Sequence, residues 1–277
     1  MTIEIINTLT YSDSPGIAWQ IERVRTGQSE ALWLATPHED AVHLVTKLGL
    51  LPQQVYDMYA QRYLTAIDDT QGIWWTDFPV PDDAQFLIYN DWTKHIVSRG
   101  YDRARVRWFN DAQRFVQAVI WLDLNGQTDY KEIYQRNGAL FAKQYFSVGE
   151  LQQSDFYFGK QNVQVRDFYF EGHRNFVYAY DQKYDGAASY LTAVCQRRPQ
   201  AKFNVTQLDR TLAFVPNQTT LTLVDGVVDA KGRLRPQLAD ILRDKAHPIT
   251  TVRVSAEDFQ TLQAFGLPLQ KVQVVTI

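Results

Sequence analysis

Residues 121–170 read WLDLNGQTDYKEIYQRNGALFAKQYFSVGELQQSDFYFGKQNVQVRDFYF, and the return of ring-bearing pairs along this stretch decides the fold. Trp121, Ile133, Tyr145, Tyr157 and Tyr169 follow one another at intervals of twelve, as do Leu122, Tyr134, Phe146, Phe158 and Phe170. A strand of roughly five to nine residues and a short turn fill such an interval, and only antiparallel neighbours join through so little chain. Asn125-Gly126 and Asn137-Gly138 provide hairpin turns, because Gly and Asn tolerate positive φ. The repeat, which runs over about 104–182, therefore predicts an antiparallel β-meander. Adjacent strand positions face opposite ways, so Tyr145 and Phe146, Tyr157 and Phe158, and Tyr169 and Phe170 put rings on both faces. One face rests on protein, and the other calls for a second element, a partner chain or a ligand. Contiguous exposed apolar patches beyond a few hundred Å² are rare on monomers.

On either side of the meander the periodicity changes. Before about residue 65, Ile17, Ile21 and Val24 form one helical stripe within 16–26, and EALWLAT (30–36) suits a buried strand. Thr36 and Pro37 predict a helix start, with Ala41, Leu44, Val45 and Leu48 inward and Gly49 closing it. A further helix is expected from Pro52 to about Leu64. Between 66 and 100, heavy turn punctuation separates short apolar runs. After about 200, a strand at 219–225, a helix at 233–246, a strand at 250–254, the helix AEDFQTLQAF and the strand KVQVV alternate. Alternating strands and helices favour a parallel sheet. The expected class is α/β: a Rossmann-like domain over 1–80 and 200–277, with an extended antiparallel sheet domain inserted over 81–199.

Composition narrows the function. A net charge of −3 and a pI near 6.0 give no bulk attraction to nucleic acid or anionic lipid. No apolar run approaches the roughly 18 residues that a membrane-spanning helix needs. The opening MTIEIINTLTYSDSP lacks the layout of a secretory signal, and Cys195 is the only cysteine, so the expected location is the cytoplasm.

The run Arg114-Phe115-Val116-Gln117, then Trp121-Leu122-Asp123 with Gly126, then Tyr134, Gly138, Phe141-Ala142 and Tyr145-Phe146 resembles the extended β-sheet domain of a bacterial glycosyltransferase group. That group glycosylates serine-rich adhesins of the accessory-Sec system and teichoic-acid chains. The order of residues is most similar to GtfB, the stabilising partner in adhesin glycosylation. Gly16-Ile17 and the run Gly49-Leu50 through Val55-Tyr56-Asp57-Met58-Tyr59 resemble the amino-terminal part of the same group, so the likeness covers roughly 15–185. It implies half of a two-lobed glycosyltransferase fold, with the sheet inserted into the first lobe. In catalytic members the second lobe binds a nucleotide-sugar and carries two glutamates seven residues apart. Here Glu257 is the only glutamate after Glu171, a departure from that pattern. Transfer from a nucleotide-sugar needs preorganised charge around an oxocarbenium-like sugar and a departing diphosphate. The resemblance thus implies an accessory protein that binds and stabilises a catalytic glycosyltransferase and helps engage a Ser/Thr-rich acceptor. The alternative is an incomplete or split glycosyltransferase supplying the acceptor-binding half.

Other chemistry is weakly supported. His38 and His43 are five apart, whereas zinc-binding histidines on a helix stand three or four apart, so no metal is expected. Asp225 and Asp229 at a strand end, and the pairs Asp68-Asp69 and Asp82-Asp83, read as turn residues. Neither G-x-G-x-x-G nor G-x-x-x-x-G-K-[ST] occurs, and no catalytic residue or cofactor is assigned. The candidate partner or acceptor contacts are Trp121, Tyr134, Tyr145, Phe146, Tyr157, Phe158 and Tyr169.

Overall fold

The computed structural model describes residues 2–111 and 114–276. In chain order the first part contains β1 (Thr2–Ile6), α1 (Pro15–Arg25), β2 (Ala31–Leu34), α2 (Ala41–Lys47), β3 (Val55–Asp57) and β4 (Arg62–Tyr63). Ten strands follow: β5 (Gln85–Ile88), β6 (Lys94–Ser98), β7 (Tyr101–Trp108), β8 (Val116–Leu122), β9 (Thr128–Tyr134), β10 (Leu140–Ser147), β11 (Glu150–Phe156), β12 (Val165–Phe170), β13 (His173–Ala179) and β14 (Gln182–Tyr184). The chain then forms α3 (Ala187–Gln196), β15 (Lys202–Val205), β16 (Thr219–Thr222), α4 (Leu238–Arg243), β17 (Ile249–Val254), α5 (Ala256–Ala264) and β18 (Val272–Val274). Two compact units result, Met1–Thr65 with Ala188–Ile277 and Ala66–Ala187.

The first unit holds an eight-stranded sheet in the order β18-β17-β16-β15-β1-β2-β3-β4, parallel throughout except for the β3–β4 pair. The central strand β1 went unread in the sequence because Glu4 interrupts TIEII. Its carboxylate is fully buried and fully engaged: Ser29 Oγ (2.6 Å), Arg23 Nε (3.1 Å), Gln20 Nε2 (3.1 Å) and Asn204 Nδ2 (2.6 Å) all donate to it. Thr206 Oγ1 donates to Gln20 Oε1 and Thr222 Oγ1 to Asn204 Oδ1, each at 2.8 Å, which ties β1, β15, β16 and α1 into one buried network. A buried charge survives only with such partners. On the α1 side of the sheet Ile6, Ile17, Ile21, Val24, Leu32, Leu34, Val45 and Val55 form the apolar core.

Three expectations in this unit are corrected. The helix expected from Thr36-Pro37 begins at Ala41 instead. Thr36 Oγ1 donates to Asn7 Oδ1 (3.0 Å), and the Asp40 amide to His38 Nδ1 (3.0 Å), so a turn precedes it. No α-helix occupies 52–64, only one 3-10 turn at Pro52–Gln54. Val55 and Tyr56 pair with β2, and Asp57 caps the following turn by accepting from the Tyr59 and Ala60 amides, both at 2.9 Å. The helix expected over 233–246 is confined to Leu238–Arg243, because Arg233 closes a turn onto Asp229 and Gln237 takes a positive φ of 68°.

The second unit is a ten-stranded antiparallel meander, β5 through β14 in sequential order. Gly126 (φ 78°) and Gly138 (φ 77°) alone take the left-handed position in their turns. Their amides donate to the carbonyls of Asp123 (3.1 Å) and Gln135 (2.9 Å), and the Asn residues stay at negative φ. At Arg99-Gly100, Val148-Gly149 and Glu171-Gly172 both central residues have positive φ, as a two-residue hairpin turn demands. The segment expected to go with the α/β part up to residue 80 packs on this sheet: Ile73, Trp75, Phe78 and Val80 lie against Ile96, Ala104, Val106, Val119 and Tyr134.

Candidate functional site

The antiparallel register sorts the rings of the meander by face. Ala104, Trp121, Tyr130, Tyr145, Gln153, Phe168 and Phe176 stand opposite one another in one row across β7 to β13. The row two positions along holds Val106, Val119, Glu132, Lys143, Asp155, Arg166 and Tyr178. Period-two alternation puts both rows on the same face. Over β6 to β9 this face is covered by the 73–80 segment, with Phe78 meeting Trp121 (6.2 Å) and Tyr134 (5.6 Å between ring centroids).

Farther along, the face becomes a ladder of rings and alternating charges. Trp121 stacks on Tyr130 at 5.8 Å, and Tyr130 lies 6.5 Å from Tyr145. Trp121 Nε1 donates to Glu132 (3.0 Å), Lys143 pairs with Glu132 (2.7 Å), and Arg166 pairs with Asp155 (2.8 Å). Gln153 Nε2 adds a 2.8 Å hydrogen bond to Asp155. Beyond it Phe168 stacks on Phe176 at 4.3 Å.

Burial raises the Tyr130, Tyr134 and Tyr157 hydroxyls, assisted by Glu132 for the first two and by Tyr145 and Asp155 for the third. The hydrogen bond that Lys143 donates to Glu132 raises Lys143, and the one that Arg166 donates to Asp155 raises Arg166. Neutral phenols beside fixed ion pairs give hydrogen-bond donors and acceptors set among aromatic area. That arrangement suits contact with a polar chain and offers no activated nucleophile.

The seven expected contact residues therefore divide. Trp121, Tyr145 and Tyr157 share the ladder face, Tyr157 just past β11 within reach of Lys143, Asp155 and Arg166. Tyr134 is in the same region but buried beneath Phe78, 8% exposed. Phe158 is buried against Phe141 and Phe156. Phe146 carries the Lys131 ammonium over its ring at 4.6 Å, on the opposite face. Tyr169, just after a register shift at Phe168/Tyr169, accepts a hydrogen bond from Arg174 (3.3 Å), which pairs with Asp167 on that opposite face (3.0 Å). Tyr130, Glu132, Lys143, Asp155 and Arg166 belong to the site without having been expected there.

Elsewhere, the weaker candidates behave as turn residues. Asp68 accepts from the amide and hydroxyl of Thr70, which lowers its proton affinity, and Asp229 is lowered in the same way by Arg233. Asp83 accepts from Ser98 Oγ (2.9 Å) and Asp225 from Gln207 Nε2 (3.2 Å). Among the described residues no group of three His, Cys, Asp or Glu is placed to hold a metal, and no helix is long and apolar enough to cross a membrane. In the first unit, a cleft of about 490 Å³ is lined in part by Thr192, Cys195, Phe203 and Pro216, with no carboxylate or imidazole. Burial pushes the Cys195 thiol up to about 12, far from a thiolate nucleophile.

A parallel α/β sheet interrupted after β4 by a long antiparallel meander, and resumed at α3, is the fold of the extended-sheet glycosyltransferases. The chain is 16% identical to a structure of accessory secretory proteins 1, 2 and 3 of Streptococcus pneumoniae, covering 100% of this chain and 62% of that one with a TM-score of 0.71. It aligns with a GtfA/B complex at 15% identity and TM-score 0.72 (100% and 60% covered). With a pneumococcal O-GlcNAc transferase, GtfA, bound to UDP and GlcNAc, the values are 13% and 0.70 (100% and 60% covered). The chain thus spans about three-fifths of the length of these structures. Residues 88–184 match the family model described as the GtfB middle domain, which bears out the resemblance carried by the sheet sequence. No curated protein matches the chain.

Proposed function

We propose that the chain is a GtfB-like accessory protein that binds and stabilises a catalytic glycosyltransferase, and that its ladder face also engages a Ser/Thr-rich acceptor in the cytoplasm. One observation carries this reading: the span matching the GtfB middle domain, 88–184, is the span that bears the ring-and-charge ladder. Trp121, Tyr145 and Tyr157 supply rigid rings of the kind that dominate protein contacts. The hydroxyls of Tyr145 and Tyr157, with Lys143 and Arg166, provide donors for backbone carbonyls and serine or threonine hydroxyls. Such contacts order an extended chain without chemistry by the sheet itself.

The test is co-expression with a catalytic subunit of the GtfA type. The two chains are expected to co-purify, the catalytic subunit to melt at a higher temperature in the complex, and glycosylation of a serine-rich acceptor to fall when this chain is omitted. Sugar transfer from a nucleotide-sugar by this chain alone would overturn the proposal.

A further inference from the structure

The opposite face of the same meander carries a separate feature. Arg103, Arg105 and Arg107 alternate along β7 with the buried Ala104 and Val106, so they point away from the covered side. Arg105 and Arg107 are exposed. Across the register Arg105 stands opposite Ile120, whose next neighbour is Lys131, and Arg107 opposite Ala118, whose next neighbour is Ile133. Four cations thus frame a small floor of the half-buried Ile120 and Ile133, with Ala118 fully buried between them. Lys131 lies over Phe146, and both burial and the charge of Arg107 weaken its hold on its proton.

Among the described residues no carboxylate is paired with this group. Arg103 rests 5.5 Å from the Tyr101 ring, and among the described residues none of the four cations forms an ion pair. Asp102, on the same strand, is taken by His95 Nδ1 and Tyr89 Oη, both at 3.1 Å. Asp129, on β9, is not ion-paired with them. Like charges gathered without a counter-ion repel, and an incoming anion relieves that repulsion.

We propose that this face of β7–β9 takes an acidic polypeptide segment in extended form, its alternate carboxylates meeting Arg105 and Arg107 while an apolar side chain between them rests on Ile120 and Ile133. The spacing fits, because alternate positions of an extended chain repeat at about 7 Å, as Arg105 and Arg107 do. The isoleucine floor favours a polypeptide over a phosphate polymer, which has no apolar side chain to place there. A protein of net charge −3 also lacks the wide basic field that long polyanions select. The proposal stands whether or not the ladder face holds a transferase.

The experiment uses the full chain and a fluorescein-labelled peptide of alternating Glu and Val, followed by anisotropy at low and high salt. An alternating Lys-Val peptide, polyphosphate of equal charge and a short single-stranded DNA serve as comparisons. The Glu-Val peptide is expected to bind most tightly and to weaken with salt. Arg105→Gln with Arg107→Gln is expected to weaken it by about tenfold or more, with an unchanged thermal transition, and Arg105→Lys with Arg107→Lys to retain most of the affinity. No binding of the Glu-Val peptide, undiminished binding by a folded Gln variant, or tighter binding of polyphosphate or DNA would overturn the proposal. Should the Gln variant fail to fold, the ranking of the four probes on the unaltered chain decides alone.

Discussion

The two units handle charge in opposite ways. In the parallel unit the Glu4 carboxylate is fully buried and takes four donors from Ser29, Arg23, Gln20 and Asn204. In the meander Glu132, Lys143, Asp155 and Arg166 lie in a row on one face, with Lys143 and Arg166 still partly exposed at 28% and 39%. A network with every donor and acceptor already used serves as scaffold. A half-exposed row of rings and ion pairs can exchange water for a partner at small cost, and that difference is why the proposed contact is put on the meander.

The comparison breaks first at Glu4. Replacing Glu4 by Ala strands the Asn204, Gln20 and Arg23 donors in a dry interior, so a loss of about 3–5 kcal/mol is expected in urea unfolding. A loss below about 1 kcal/mol would show that the network is wet and not scaffold.

Asp57, also in the parallel unit, gives a pH signature. Burial is the main cause that raises its proton affinity from 3.8 to about 6. A carboxyl that binds its proton more tightly in the folded chain costs nothing below pH 4, increasingly destabilises the fold from about pH 4 to 6, and carries its full penalty above 6. Asp57→Asn keeps an oxygen acceptor for the Tyr59 and Ala60 amides. The variant is therefore expected to match the original at pH 4 and to be more stable at pH 7, by up to about 3 kcal/mol. Thermal unfolding of both proteins across that range is the check, and a gap that closes as pH rises would reverse the assignment.

Effects on the meander face are smaller. A double-mutant cycle on Lys143 and Glu132 is expected to give a coupling of about 0.5–1 kcal/mol, typical of a partly exposed pair. A coupling above about 3 kcal/mol would mark this pair as buried structure like Glu4.

Much of this was legible in the sequence, for physical reasons. The meander could be read because its rings recur at a period that only strand-plus-turn units fill. The ladder could not be read from that count, because antiparallel strands meet by reflection about their turns. Trp121 and Tyr130 are equidistant from the centre of Asn125-Gly126, and Glu132 and Lys143 from the centre of Asn137-Gly138. Reflection about the glycine turns would have found both pairs. Tyr169 lies on the other face because the β11–β12 pairing gives the ladder face to its neighbour Phe168, an offset that the twelve-residue count does not show. In the parallel unit, β1 was hidden by its buried Glu4, and Val55 to Asp57 read as helix because a three-residue strand is shorter than any period.

The most direct test of the central claim compares faces of one sheet. Affinity for a GtfA-type catalytic subunit is measured by calorimetry for the unaltered chain, for Tyr145→Ala with Tyr157→Ala, and for Tyr169→Ala. The ladder-face variant is expected to lose at least about 2 kcal/mol of binding with its unfolding transition still cooperative, and Tyr169→Ala, on the opposite face, to bind as the original does. Equal losses from both faces, or full binding by the ladder-face variant, would contradict the account.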